Sequence, residues 1–192
     1  MRGLTMYFAP ASKRGMSHII RQPELQDAVA LADLSRSTFV DTFAHLYSAE
    51  NLNMFLTEVY SEGAIKSELA NPDRLYRVVE RDGKLVAYCK LGLTYGFDHD
   101  VGKRKVMELK QLYLTAEAQG TGIAQELMAW SLEEAQARGY DAIALTVWSE
   151  NFKAQRFYEK HGYTKWADTY FMVGNHRDDE FIYGLDLKGA AT

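Results

Sequence analysis

The sequence predicts one mixed α/β domain, on three observations. At roughly 100–200 residues per domain, 192 residues favour a single sizeable core. The chain is 47% hydrophobic, 12% aromatic and 25% charged, so it can bury enough surface to offset chain entropy. Segments with apolar spacings of three and four alternate with short β-branched and aromatic runs, the arrangement of an α/β fold.

The elements follow in order. Ile19-Ile20-Arg21 reads as a short first strand, and Pro23 then opens a helical region. From Leu25 the apolar positions Val29, Leu31, Leu34, Phe39, Phe43 and Leu46 follow amphipathic spacing. Leu52, Phe55, Leu56 and Val59 mark a second helical stretch, and 65–69 a short third one. Asn71-Pro72 stops it, because the residue before proline disfavours helix. Strands are expected over 76–80 and 85–93, joined by Asp82-Gly83, a strong hairpin turn. Residues 95–104 are a polar loop and 106–114 another strand. Residues 122–138 read as a helix ended by Gly139. A buried strand over 143–147 precedes a helix over 151–161 that Gly162 stops. Strands near 163–173 and 181–187 finish the order β-αα-β-β-β-α-β-α-β-β.

The composition excludes several function classes. A net charge of −4 argues against a basic nucleic-acid footprint, while leaving room to attract a cationic substrate. The lone Cys89 forbids an intramolecular disulfide and any multi-cysteine zinc site, and fits a reducing, cytoplasmic setting. In its strand it reads as a buried small hydrophobe rather than a nucleophile. His18, His45, His99, His161 and His176 lack metal-ligand spacing, so no metal is expected. No apolar run approaches the roughly 18 residues of a membrane span. The first residues lack the apolar core of a secretory signal. We expect residues 1–17 to be a disordered extension, with Met16 an alternative start. Residues 18–188 then form the domain and 189–192 a tail.

The segment richest in chemistry is Leu112-Tyr113-Leu114 followed by Gln119-Gly120-Thr121-Gly122-Ile123-Ala124, where a strand runs through a small-residue loop into a helix. Amides at such a helix start can cradle a pyrophosphate. A P-loop is excluded, because the Gly-Lys-Ser/Thr ending is missing. The dinucleotide fingerprint is only half met: Gln125 stands where the third glycine belongs, and Asp141 begins the next strand rather than ending it.

Downstream comes Asn151-x-x-Ala154-x-x-x-Tyr158-x-x-x-Gly162-Tyr163. Together with Gln119-x-x-Gly122-x-Ala124, this resembles the GCN5-related N-acetyltransferase superfamily. Ala124 replaces the second glycine of its loop, and Tyr163 replaces its phenylalanine. Thr38-Phe39, Phe43, Tyr60, the stop from Glu68 to Pro72, and Phe171-x-Val173-Gly174 resemble the branch that includes bacterial spermidine/spermine acetyltransferases. The likeness runs from about Ile19 to Leu187. It implies the GNAT fold: a mixed, mostly antiparallel sheet with a splayed central strand pair and flanking helices.

The resemblance also implies roles, each with a plainer reading beside it. Amides of Gln119 to Ala124 are expected to bind the pyrophosphate of acetyl-CoA, and Leu112, Tyr113 and Leu114 to line the pantetheine slot in the manner of an added strand. The Leu114 amide is then expected to face the thioester carbonyl. The plainer reading is an ordinary glycine-rich loop beside normally paired strands. Tyr158, with Ala154 and Phe157 on the same helix, is expected at the cofactor. It protonates or hydrogen-bonds the leaving thiolate, or it is simply a packed aromatic. Glu108 is the candidate general base for an amine of pKa about 10, or a salt-bridged strand carboxylate. Asp98 and Asp100 are lesser candidates in the loop. Asn151 contacts the pantetheine, caps the helix, or does both. Lys153, Arg156 and Lys160 meet the 3′-phosphate or form a solvated face. Phe39, Phe43, Tyr47, Phe55 and Tyr60 wall the acceptor pocket or belong to the core, and Glu50, Glu58 and Glu62 attract a cation or are solvated.

The expectation is therefore an N-acetyltransferase using acetyl-CoA in a ternary complex, with a polyamine or other small cationic amine as acceptor. The alternatives are a protein N-terminal or lysine acetyltransferase, and a non-catalytic CoA-binding regulator. No nucleic-acid or membrane partner is expected, and the resemblance carries an expectation of a homodimer.

Overall fold

A computed structural model describes residues 17–187. The extension expected at the start, apart from Ser17, and the tail over 189–192 lie outside the described residues. Among the described residues, seven strands form one sheet in the order β1-β2-β3-β4-β5-β7-β6. They are β1 (Ile19–Arg21), β2 (Arg74–Arg81), β3 (Lys84–Gly92), β4 (Val106–Leu114), β5 (Ala142–Trp148), β6 (Thr164–Val173) and β7 (His176–Asp186). Five described α-helices flank it: α1 (Ala28–Phe43), α2 (Ala49–Val59), α3 (Glu62–Ala70), α4 (Ile123–Ala137) and α5 (Phe152–Lys160).

Local chemistry explains the boundaries. Ser48 and Ser61 cap α2 and α3, each accepting a backbone N–H three residues on. Asp82 and Gly83, with φ of +51° and +74°, make the expected tight β2–β3 turn. The β6–β7 turn is as short, over Gly174 (φ +61°) and Asn175, so β7 begins at His176 rather than near residue 181. The difference has a physical cause. Asp178 is buried and Glu180 half-buried, so the start of β7 lacks the apolar alternation by which a strand is read.

The sheet separates two cores. On one face α4 and α5 cover a cluster that includes Met107, Leu109, Ile123, Leu127, Ile143, Leu145 and Tyr163. On the other, α1–α3 cover Leu31, Phe39, Tyr60, Tyr76, Val78 and Tyr88. Beside that second core, Tyr95, Phe97 and Val101 of the 95–104 loop and Trp166 pack over Val106, Ala142 and Ala144.

All neighbouring strands are antiparallel except β4 and β5, which run parallel and pair only at Val106↔Ala142, Met107↔Ile143 and Glu108↔Ala144. Beyond Glu108 the two strands separate, β4 continuing to Leu114 and β5 to Trp148. The result is a V-shaped cleft with Glu108 at its vertex. On the β3 side, Lys90 pairs with Gln111 and Leu91 with Leu109, so Lys110 is the extra residue of a β-bulge.

Candidate active site

The cleft is edged by free backbone. Thr115 N–H donates to the Val86 carbonyl at 2.9 Å, and along an antiparallel ladder the amides alternate sides. Tyr113, opposite Tyr88, therefore turns its amide to β3, while Leu112 and Leu114 turn theirs into the gap. Their side chains pack on the α4–α5 core together with Ala154, Phe157 and Tyr158.

At the open end of β4 lies the small-residue loop. Gly120 and Gly122 have φ of +76° and +96°, and a Cβ on either would meet nothing within 4 Å. The first intrahelical bonds run from Gln125 and Glu126 N–H to Gly122 O, so the amides before them are available at a helix N-terminus. Gln119 differs from the rest of the run, because its amide already donates to Ala116 O at 3.3 Å. Its side-chain carbonyl instead accepts from Lys153, which brings an ammonium from α5 to the loop. Thr121 is anchored by its hydroxyl to Ala118 O, 2.6 Å away. Open space, free amides and a cation together suit a pyrophosphate, so these residues fit the cofactor.

Tyr158 enters from the α5 side. Burial pushes its phenol up, with Cys89 and Tyr113 adding to the rise. Cys89 stands opposite Leu112 in the β3–β4 register, and Tyr158 packs on the same core as both. Burial also pushes the Cys89 thiol up, leaving it protonated and a poor nucleophile. Asn151 caps α5, its side chain accepting from Ala154 N–H at 3.1 Å.

Glu108 is 5% exposed, and its Oε1 accepts from Lys110 Nζ at 2.7 Å. Gly96 of the covering loop lies against Oε2, where a Cβ would stand 3.3 Å away. Six residues at about 3.3 Å each put Glu108 some 20 Å along β4 from Leu114, but only about 13 Å from Leu112. Asp98 and Asp100 are exposed, and Asp100 accepts from Gly102 N–H.

The opposite mouth of the cleft is aromatic. Phe39 and Tyr60 are buried, and Phe43 meets Trp148 at 6.1 Å. Gln111, turned to this face beyond the bulge, donates to the Tyr60 hydroxyl at 2.9 Å. Two residues absent from the sequence reading stand here. Asp178 is 6% exposed and accepts from the Tyr47 hydroxyl. Glu180 pairs with Trp148 across the β5–β7 ladder, and burial and then Asp178 raise its carboxyl, opposed by a hydrogen bond from Thr146. The signal for them was Gly174-Asn175, a hairpin dipeptide that starts β7 early. Glu50, Glu58 and Glu62, the carboxylates expected to draw a cation, are exposed, and Glu62 pairs with Lys66.

No described helix is long and apolar enough to cross a membrane, and among the described residues no three His, Cys, Asp or Glu gather as metal ligands.

Comparison with known proteins agrees with this geometry. Residues 39–163 match the model of the "Acetyltransferase (GNAT) family". An N-acetyltransferase of Mycobacterium tuberculosis is 30% identical over 85% of this chain and 99% of its own. The spermidine N(1)-acetyltransferase of Thermoplasma acidophilum is 25% identical over 77% of this chain and 89% of its own. Among solved structures, the PaiA N-acetyltransferase of the same organism, in complex with coenzyme A, shares the fold. Its TM-score is 0.71 and its identity 24%, over 89% of this chain and 99% of that one.

Proposed function

Because this chain belongs to the acetyltransferase (GNAT) family, it is an acetyl-CoA-dependent N-acetyltransferase, and we propose that its acceptor is a small cationic amine of the polyamine type. The site assignment rests on the pair of amides, Leu112 and Leu114, that face the cleft, with Tyr158 packed on the same core. Support for the acceptor class comes from the spermidine-acetylating relative and from the acidic residues at the aromatic mouth.

Each residue has a task in this reading. The amides of Gly120 to Ala124, with Lys153 beside them, hold the pyrophosphate. Leu114 pairs with the pantetheine as a neighbouring strand would. We assign the thioester oxygen to the Leu112 amide, two residues deeper than the expectation at Leu114, because it faces the gap and stands nearer Glu108 along β4. Glu108, acting through water from the vertex, takes the proton shed by the attacking amine. The amine nitrogen bonds to the carbonyl carbon as the carbon–sulfur bond breaks, and Tyr158 donates a hydrogen bond to the departing sulfur. The single cysteine and the cytoplasmic supply of acetyl-CoA fit a cytoplasmic enzyme.

The test is release of coenzyme A from acetyl-CoA over a panel of spermidine, spermine, amino acids and a lysine peptide. Saturable turnover with a polyamine is expected. Turnover confined to the peptide would refute the acceptor class, and tight coenzyme A binding without any turnover would refute catalysis.

A further inference from the structure

The loop over 95–104 covers the vertex of the cleft, and the reaction just described gives it no task. Val106 and Glu108 share one face of β4, and on that face Tyr95, Phe97, Val101 and Trp166 pack over Val106, Ala142 and Ala144. The loop is tied down at both ends. Tyr140 donates to Leu93 O at 2.6 Å, and Arg104 lies over the Trp166 ring at 4.5 Å while donating to Asp186 at 2.8 Å. Gly96 comes so close to Glu108 that a Cβ there would stand 3.3 Å from Oε2, and its bare backbone lets the loop reach the carboxylate.

The two oxygens of Glu108 are not equivalent. Oε1 accepts from Lys110 Nζ at 2.7 Å, and the lysine stem lies against Gly92. Among the described residues no donor reaches Oε2. A second polar atom under the same loop is also unpartnered. The Tyr95 hydroxyl is buried and makes no hydrogen bond to the protein. Such a group is rare unless a water or ligand completes it. Burial raises its phenol, Arg104 opposes the rise and Glu108 adds to it, so Tyr95 stays neutral, able to donate, and within the field of the carboxylate. Phe97 holds the Tyr95 ring, edge to face, with centroids 5.1 Å apart.

We propose that Tyr95 is a positioning residue for the base: its hydroxyl and Glu108 Oε2 hold between them the water that carries the proton away from the attacking amine. The inference rests on the acetyltransfer reading above, with Glu108 as its base. The hydroxyl donates to the water, and one water proton points at Oε2. The remaining lone pair of the water faces the cleft. It takes a proton from the nitrogen as that nitrogen bonds to the carbonyl carbon, while the water passes its own proton to Oε2. The water is regenerated, Tyr95 stays protonated throughout, and Lys110 keeps its bond to Oε1. Tyr95, Glu108 and the amine give the water three partners, the usual number for a buried water. The apolar wall of Phe97, Val101 and Trp166 keeps bulk solvent from competing for the hydroxyl.

The experiment is a double-mutant cycle of Tyr95→Phe and Glu108→Gln at saturating acetyl-CoA, with each amine of the panel above that the wild type acetylates. Phenylalanine keeps the ring packing, and coenzyme A binding by calorimetry and thermal melting verify that each variant is folded. Tyr95→Phe alone should lower kcat about tenfold, with acetyl-CoA KM within about twofold. In the Glu108→Gln background the same change should cost less than about twofold, because no carboxylate remains to receive the proton. A packing role would instead cost the same in both backgrounds. An unchanged kcat in a folded Tyr95→Phe, or an equal loss in both backgrounds, overturns the role of Tyr95 while leaving acetyltransfer intact. An unchanged kcat in Glu108→Gln overturns the base and the role of Tyr95 together. Absence of turnover of any amine of the panel by a wild type that binds coenzyme A overturns the acetyltransfer reading as well.

Discussion

Replacing Tyr158 with phenylalanine tests the chemistry at one atom. Its ring packs against Phe157 at 5.5 Å and Tyr163 at 5.7 Å, contacts that phenylalanine keeps, so stability should change by no more than about 1 kcal/mol. Burial holds the phenol above its ordinary value of 10, whereas a thiol titrates near about 8.5. Complete proton transfer from Tyr158 to the departing thiolate is therefore uphill by at least about 1.5 pK units, roughly 2 kcal/mol. In the proposed mechanism Tyr158 accordingly serves as a hydrogen-bond donor to developing charge, a role whose removal is expected to cost about 10²–10³ in kcat, or about 2.7–4 kcal/mol. The assay is continuous thiol release at saturating acetyl-CoA and amine, with coenzyme A affinity measured separately and expected to stay within about threefold. A kcat within about threefold of wild type would refute the role. An alkaline limb with a midpoint below about 10, lost in Tyr158→Phe, would refute the burial argument.

Three further outcomes follow from the same geometry. Glu108→Gln should lower kcat by about 10²–10³ and flatten the acid limb of the pH–rate profile, with little change in acetyl-CoA KM; an unaltered profile removes it as base. Gly122→Ala forces a side chain to φ +96°, costing about 1–2 kcal/mol in denaturant melts, and should raise acetyl-CoA KM about tenfold by crowding the amide cradle. Glu180→Gln should raise the melting temperature near neutral pH. The folded carboxyl is raised, so its contribution is fully favourable below the ordinary carboxylate range and is lost as pH rises through the folded value. The advantage of Gln should accordingly shrink toward pH 4, and a variant no more stable at pH 7 contradicts the buried-charge argument.

Much of this was legible because local rules and tertiary demands agree. Val106 to Leu114 reads as a strand and is one, and Asp82-Gly83 reads as a turn and makes one. Gly122 stands at the N-cap of α4, and Asn151 caps α5 with its side chain. What escaped the sequence was set by long-range pairing. A bulge at Lys110 leaves no compositional trace, yet it decides that Gln111 meets Tyr60. The acidic start of β7 breaks the alternation that marks strands because Asp178 is buried and Glu180 half-buried. Glu50, Glu58 and Glu62 looked equivalent to these acids in a one-dimensional list, and only topology separates solvated charge from buried charge.

The split between β4 and β5 divides one strand's information into two independent channels. In the proposed reading the acyl donor meets the edge of β4, where peptide amides present the same pattern whatever side chains they carry. In the same reading the acceptor meets the face, where Gln111 and Tyr113 stand. Substitutions on the face can thus retune acceptor choice while the donor affinity stays constant. For an engineer, the two substrates are separate dials: a library confined to the face explores new acceptors on a fixed acetyl-CoA chassis.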